Sequence, residues 1–84
     1  MILIEIYSKA DCHLCDVAKD VLKKVQTKIP FEMRERIMNE RDELYETYKE
    51  QFPVVFINNE FAYRYRVPEH DLMQKLQELY KQQQ

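Results

Sequence analysis

The chain has 84 residues, 45% hydrophobic content and no glycine, which predicts one small domain over residues 1–84. Its 33% charged and 12% aromatic residues argue against intrinsic disorder, because such a composition can form a core. The 13 basic and 15 acidic residues give a net charge of −2, so there is no basic surplus for binding nucleic acid.

The first two predicted elements are a strand and an amphipathic helix. Residues 2–7 are apolar except for Glu5 and rich in β-branched side chains, as expected for a central strand that is covered on both faces. Apolar residues then recur at helical spacing until Pro30, which ends the predicted helix. The predicted buried stripe of this helix is Leu14, Val17, Ala18, Val21, Leu22 and Val25.

The middle of the chain predicts an edge strand and a second helix. Apolar and charged residues alternate over 31–37, which is typical of a half-exposed strand. Asn39 is placed to cap a helix over residues 40–51 through its side-chain carbonyl. This helix has few apolar residues, so we expect it to pack loosely.

The last third of the chain predicts a hairpin and a final helix. Residues 53–57 form an apolar run of strand length, and Asn58-Asn59 suits a tight turn because asparagine tolerates positive φ. Alternation over 61–66 predicts the return strand, and Pro68 fits the first turn of the last helix. The residues expected to share one face of the return strand are Phe61, Tyr63 and Tyr65.

The predicted order of elements is β-α-β-α-β-β-α, which defines an α/β domain. Helices that connect the first strand to the second and the second to the third imply parallel pairing with right-handed connections. The closing hairpin adds an antiparallel strand. We therefore predict a four-stranded mixed sheet with helices on both faces.

Two cysteines, Cys12 and Cys15, lie where the first strand meets the first helix. At a helix N-terminus, Cys12 would face unpaired backbone N–H groups and the positive end of the helix dipole, and both favour a thiolate. Cys15 lies about one helical turn further on the same side, close enough to form a disulfide bond with Cys12. This spacing predicts an attacking and a resolving thiol for thiol–disulfide exchange.

Two other interpretations of the cysteine pair stay open, a metal site and an inert structural pair. A zinc site needs about four ligands, and only His13 and His70 remain as histidine ligands, so we predict no metal. Two cysteines are too few for a secreted disulfide scaffold. The chain also has no signal-peptide pattern and no apolar run near the length of a membrane span, about 18 residues. We therefore expect a cytoplasmic protein.

Three segments of the sequence resemble the glutaredoxins, and most of all the small glutaredoxin-like proteins with a C-H-x-C motif. They are Tyr7-Ser8-Lys9, Cys12-His13-Leu14-Cys15 and Phe52-Pro53-Val54. The resemblance implies a thioredoxin/glutaredoxin-like fold, with Cys12 as the exposed nucleophile and Cys15 as the resolving residue. It also implies a cis Phe52–Pro53 bond, which presents the backbone of Phe52 to the cysteine-containing segment of a substrate. The alternative is that Pro53 only stops the second helix.

Two residues near the cysteines are expected to tune the redox couple. His13 lies between them and can interact with a thiolate, and Lys9 matches a lysine that glutaredoxins carry upstream of the motif. Simple solvent exposure is the alternative for both residues. Glutaredoxins also carry a Gly-Gly pair before the last helix, which residues 66–71 replace here with a segment whose Pro68 has no amide N–H. This departure disfavours glutathione, which is retained only as a candidate reductant.

These features together predict a thiol–disulfide oxidoreductase. We expect a monomer that acts on protein or low-molecular-weight disulfides and is reopened by a recycling reductase. We expect no bound cofactor and no nucleic acid or membrane partner. The alternative is a thioredoxin-fold binding module without turnover, which holds a metal ion or a protein partner.

Overall fold

The predicted order of elements is present in the computed structural model, which describes residues 1–83. The strands are β1 (Leu3–Ser8), β2 (Glu32–Ile37), β3 (Val54–Ile57) and β4 (Glu60–Arg64). The helices are α1 (His13–Gln26), α2 (Tyr45–Tyr48) and α3 (Glu69–Gln82). None of the helices within residues 1–83 has the length and apolarity needed to cross a bilayer. Gln84, which the sequence assigns to the same domain, lies outside the described residues.

The sheet is mixed, as predicted, but β3 does not run in the expected direction. The strand order is β2-β1-β3-β4, so β2 lies at an edge as predicted. β1 and β2 are parallel, whereas β3 is antiparallel to both β1 and β4. The expectation that a second helix makes β2 and β3 parallel is therefore wrong. Residues 38–53 leave and rejoin the sheet at the same end, because Tyr7 near the end of β1 pairs with Val54 at the start of β3.

One face of the sheet is covered by α1 and α3. Ile4 and Ile6 of β1 point to this face and are fully buried, and they alternate with partly exposed residues that point to the other face. Burying an aliphatic side chain of this size stabilises the fold by roughly 1.5–3 kcal/mol. The buried residues that the two helices contribute to this core are Ala18, Leu22, Val25, Leu72 and Leu76.

The opposite face is covered by α2, which is much shorter than predicted. It has four residues, Tyr45–Tyr48, so the prediction of a helix over 40–51 capped by Asn39 is wrong. Asn39 accepts a hydrogen bond from the N–H of Arg41 at 2.8 Å, and its own N–H donates to Asp42 at 2.8 Å. Such local bonds compete with helix formation. Because α2 ends well before Pro53, that proline does not act as the helix stop.

The buried face of α1 differs from the predicted stripe near the N-terminal end. Leu14 and Val17 are 38% and 45% exposed, although the sequence predicts both to be buried. Cys15 takes the sheet-facing position of the first turn, so Leu14 and Val17 lie on the flank of the helix. The rest of the stripe is confirmed, with Ala18, Leu22 and Val25 buried and Val21 partly buried.

The hairpin between β3 and β4 is confirmed with its asparagine turn. Asn58 and Asn59 have φ values of 50° and 68°, in the left-handed region that asparagine tolerates better than most residues. The side-chain oxygen of Asn58 accepts a hydrogen bond from the N–H of Leu3 at 2.9 Å. The turn is therefore tied to the beginning of β1.

The two strands of this hairpin contain a register shift that changes which side chains share a face. Val55 pairs with Tyr63 and Phe56 with Phe61, which leaves Ala62 without a partner. Because the extra residue moves the following side chains to the other face, Tyr63 is buried while Phe61 is 53% exposed. The prediction that these two aromatic residues lie on one face is therefore wrong.

Candidate functional site

Cys12 and Cys15 form a disulfide bond at the N-terminal end of α1. Their Cα atoms are 5.2 Å apart, inside the usual range for a disulfide of about 4.4–6.8 Å. Cys12 is the N-cap residue with an extended backbone, and its Sγ accepts a hydrogen bond from the N–H of Cys15 at 3.2 Å. The predicted proximity of the two sulfurs at a helix N-terminus is confirmed.

The two cysteines differ in their access to solvent. Cys15 is 1% exposed and packs with Met38, Phe52 and Val54, whereas Cys12 is partly exposed. A molecule that approaches from solvent therefore meets the sulfur of Cys12 first. This difference matches an attacking thiol at the surface and a resolving thiol behind it.

The backbone around Cys12 favours negative charge on its sulfur. The N–H of Cys15 points at the sulfur, and the carbonyl of Cys12 accepts the first helical bond from Asp16 at 3.2 Å. Hydrogen bonds to a charged group and the positive end of a helix dipole both stabilise a thiolate. After reduction of the disulfide, the same donor would support the reactive form of Cys12.

The loop beside the disulfide contains the predicted cis bond, which joins Phe52 to Pro53. Both residues are buried, and Phe52 packs against Cys15. The N–H of Tyr65 donates to the carbonyl of Pro53 at 2.9 Å and to that of Gln51 at 3.3 Å. Residues on both sides of Phe52 are thus held by the segment that follows β4. A role of Phe52 and Pro53 in substrate binding stays a prediction.

The two residues expected to tune the redox couple both lie near the disulfide. Lys9 is in the loop between β1 and α1, and His13 is the first residue of α1. Both side chains are exposed, so they can interact with a charged sulfur only through solvent-screened electrostatics. Their effect on the redox couple stays a prediction.

A polar cluster that joins α1 to β1 and β2 was not predicted from the sequence. Ser8 is a fully buried polar residue, and its hydroxyl donates to Oε2 of Glu35 at 3.1 Å. The Nζ of Lys19 lies 2.8 Å from the same oxygen. The hydrogen bond from Lys19 holds the pKa of Glu35 below its ordinary value, and Glu35 raises the pKa of Lys19. No sequence pattern links these three residues, because they come from β1, β2 and α1.

A small cavity of about 520 Å³ opens beside the loop that precedes Cys12. Lys9 and Arg41 lie at this cavity, together with the partly buried ring of Tyr45 and the buried side chain of Met38. A larger groove of about 840 Å³ runs between β4 and α3, and its lining includes no cysteine. The lining of the smaller cavity includes no cysteine either, but it contains Lys9 and Ala10 of the loop that leads to Cys12.

The metal interpretation finds no support in the arrangement of side chains. Among residues 1–83, no three His, Cys, Asp or Glu side chains are grouped so that they could hold a metal ion. His70, the second histidine that the sequence offers as a ligand, is an exposed residue of the first turn of α3.

The sheet, the Cys-x-x-Cys pair at a helix N-terminus and the adjacent cis-proline together define a thioredoxin-fold protein of the glutaredoxin-like type. The family described as Glutaredoxin-like domain (DUF836) matches residues 3–77. The chain therefore belongs to this family, as its motif and loop residues suggested.

Solved structures with low sequence identity share the fold. Protein XcR50 from X. campestris is 20% identical with a TM-score of 0.74, and the match covers 89% of this chain and 96% of that one. Protein Ne2328 from Nitrosomonas europaea is 22% identical with a TM-score of 0.75, over 88% of this chain and 89% of that one. Thioredoxin-2 of the malaria parasite is 13% identical with a TM-score of 0.64, over 93% and 82% of the two chains.

Proposed function

We propose that this protein is a thiol–disulfide oxidoreductase that exchanges the Cys12/Cys15 dithiol with substrate disulfides. The observation that carries the proposal is the asymmetry of the pair. Cys12 is reachable and receives a backbone hydrogen bond at a helix N-terminus, while Cys15 is buried within bonding distance behind it. An inert structural disulfide would need neither the accessible sulfur nor the donor directed at it.

The reaction has two steps, each of which is a thiolate attack on a disulfide. The Cys12 thiolate attacks one sulfur of the substrate, forms a mixed disulfide and releases the first substrate thiolate. Cys15 then loses its proton and attacks the sulfur of Cys12, which breaks the mixed disulfide and releases the second substrate thiolate. The two released thiolates take up two protons. The substrate gains two electrons, and the dithiol becomes the disulfide that the structure contains.

Return to the dithiol needs two electrons from another thiol. We propose a recycling reductase with its own dithiol as the donor, and glutathione stays the second candidate. The cycle uses no bound cofactor, since all electrons pass between sulfur atoms. We propose a cytoplasmic location, because cytoplasmic thiols are kept reduced and a cysteine pair there usually serves catalysis or redox sensing. We also propose that the protein acts as a monomer.

The first test is a redox titration of the purified protein in defined ratios of reduced and oxidised dithiothreitol. We expect one reversible two-electron transition in the wild type, which Cys12→Ser and Cys15→Ser both abolish. Cys15→Ser should in addition accumulate a mixed disulfide at Cys12 when it meets a substrate disulfide. His70→Ala, which is exposed on α3, is the matched control and should titrate like the wild type.

A binding module without turnover would behave differently in the same assays. It would show no reversible transition, and reduced protein would not transfer electrons to bis(2-hydroxyethyl) disulfide. Either result would overturn the proposed function.

A further inference from the structure

Tyr65 has a backbone conformation that is unusual for its residue type. It lies directly after β4 with a φ of 68°. The left-handed region crowds the Cβ atom of an L-residue, and asparagine and aspartate visit it more easily than other residues with a Cβ. The other left-handed residues within 1–83 are of those two types, Asp11, Asn58 and Asn59. Tyr65 is the aromatic exception.

The loop does not require a tyrosine side chain at this position. The hydrogen bonds that hold the loop come from the backbone N–H of Tyr65, which donates to Pro53 and Gln51, and from the N–H of Arg66, which donates to the carbonyl of Arg64 at 2.8 Å. Glycine would make the same bonds without crowding its own backbone. The backbone bonds of the loop therefore do not explain a tyrosine at position 65, which leaves its aromatic ring to be considered.

The ring of Tyr65 contributes little to the core. It is 44% exposed and lies outside both buried clusters of the described residues. The guanidinium carbon of Arg64 lies 6.0 Å from the ring centroid. The backbone of Tyr65 is bonded to the residues on both sides of Phe52, and Phe52 packs on Cys15. The backbone of Tyr65 is thus held at the cis-proline loop, which belongs to the same buried cluster as Cys15, and its ring is half-exposed.

We propose that Tyr65 is a specificity-determining residue that packs against an apolar side chain next to the reacting cysteine of a protein substrate. The inference rests on the proposed function and adds its substrate class. Residues in strained backbone conformations cluster at functional sites, and an exposed tyrosine ring offers a large and rigid contact surface. Leu14 and Val17 are also exposed, on the first two turns of the helix that carries the cysteine pair.

Small disulfides cannot make this contact. Bis(2-hydroxyethyl) disulfide has no side chain beyond the reacting sulfur, and glutathione has glutamyl and glycine residues on either side of its cysteine. A polypeptide with an apolar neighbour of cysteine can make the contact, so it should react faster.

The test compares two symmetrical peptide disulfides, made from acetyl-Ser-Leu-Cys-Leu-Ser-amide and from acetyl-Ser-Ser-Cys-Ser-Ser-amide. The reduced protein is mixed with each one, and the second-order rate constant of its oxidation is measured in a single turnover. We expect the wild type to react about tenfold faster with the leucine peptide, because one small apolar contact changes a rate constant by about that factor. Tyr65→Gly should lose this preference and keep the rate with the serine peptide, and Tyr65→Phe should keep both rates.

A matched control separates the ring from the backbone. Asn59→Gly changes another exposed residue with a φ of 68°, in the hairpin turn, and should behave like the wild type. Tyr65→Asn keeps a residue that tolerates this φ and should repeat the loss if the glycine variant folds poorly. An unchanged preference in folded Tyr65→Gly or Tyr65→Asn overturns the inference and leaves the proposed function intact. A wild type that reacts with neither peptide overturns the proposed function itself.

Discussion

The ammonium nitrogen of Lys19 lies 2.8 Å from Oε2 of Glu35 and so connects the first half of α1 to the edge strand β2. The same oxygen accepts a hydrogen bond from Ser8, the last residue of β1. The elements α1, β1 and β2 therefore meet at the carboxylate of Glu35. Lys19, which contributes the contact from α1, lies about one helical turn after Cys15. The N-terminal half of α1, which carries the cysteine pair, is held to the sheet by this cluster in addition to its apolar face.

Replacing Glu35 by glutamine should lower the free energy of unfolding by about 0.5–1 kcal/mol, because the ion pair with Lys19 is lost at a partly buried position. Urea denaturation of the oxidised protein measures this change. Glu32→Gln is the matched control, since Glu32 pairs with Arg34 on the same strand and both side chains are more than half exposed. Equal losses in the two variants would contradict the prediction.

The contribution of Glu35 should depend on pH. Lys19 lowers the pKa of Glu35 in the folded protein below the ordinary value of 4.5. A lowered carboxyl pKa gives stability that is fully present above the unfolded value and is lost as pH falls through the folded value. The difference in unfolding free energy between wild type and Glu35→Gln should therefore be constant between about pH 5 and about pH 9 and shrink below pH 5. A difference that grows on acidification would contradict this assignment.

The pKa of Tyr63 is raised above the ordinary value of a tyrosine. Burial first and then the hydrogen bond to Asp71 raise the pKa of its phenol. Ultraviolet titration should show one of the six tyrosines ionising at higher pH, and Tyr63→Phe should remove that late step. A raised pKa gives stability that is lost as pH rises, so the wild type should lose stability relative to Tyr63→Phe in strong alkali. At neutral pH the variant should be less stable by about 1 kcal/mol.

Alkylation of the reduced protein should be selective for Cys12. Cys15 is 1% exposed, and Cys12 is accessible with a donor directed at its sulfur. Brief treatment with iodoacetamide followed by mass spectrometry should place one adduct on Cys12. Cys12→Ser should leave Cys15 unmodified until the protein is unfolded in urea. Equal labelling of the two cysteines in folded protein would contradict the assignment of their roles.

Lys9 should accelerate the reaction of Cys12 at neutral pH. Its ammonium group is exposed and three residues from the thiolate, so an effect of about twofold is expected from a few tenths of a kcal/mol. Lys9→Ala should slow alkylation of Cys12 by that factor at low ionic strength, and added salt should reduce the difference. Lys81→Ala at the end of α3 is the control with the same charge change. The same slowing in both variants would show a general charge effect.

The order of elements and the cysteine pair could be predicted from the sequence because both depend on neighbours along the chain. The stripe of α1, the asparagine turn and the spacing of Cys12 and Cys15 are local patterns, and the structure confirms most of them. The resemblance to glutaredoxins added the cis bond at Pro53, which no local pattern specifies.

The sequence did not reveal some local hydrogen bonds, nor the features that depend on contacts between distant segments. The capping prediction at Asn39 failed because local bonds with Arg41 and Asp42 replace the first turns of a helix. The direction of β3 and the exposure of Phe61 depend on strand pairing and on one unpaired residue in β4.

The sequence by itself determined which elements form and where the two sulfurs lie along the chain, since periodicity and helix-terminal position act over a few residues. Only the tertiary structure decided which side chains bury Cys15, which oxygen Lys19 and Ser8 share, and that the backbone of Tyr65 lies beside the cis-proline. Each of these is a contact between residues far apart in sequence, and its geometry exists only once the sheet has been assembled.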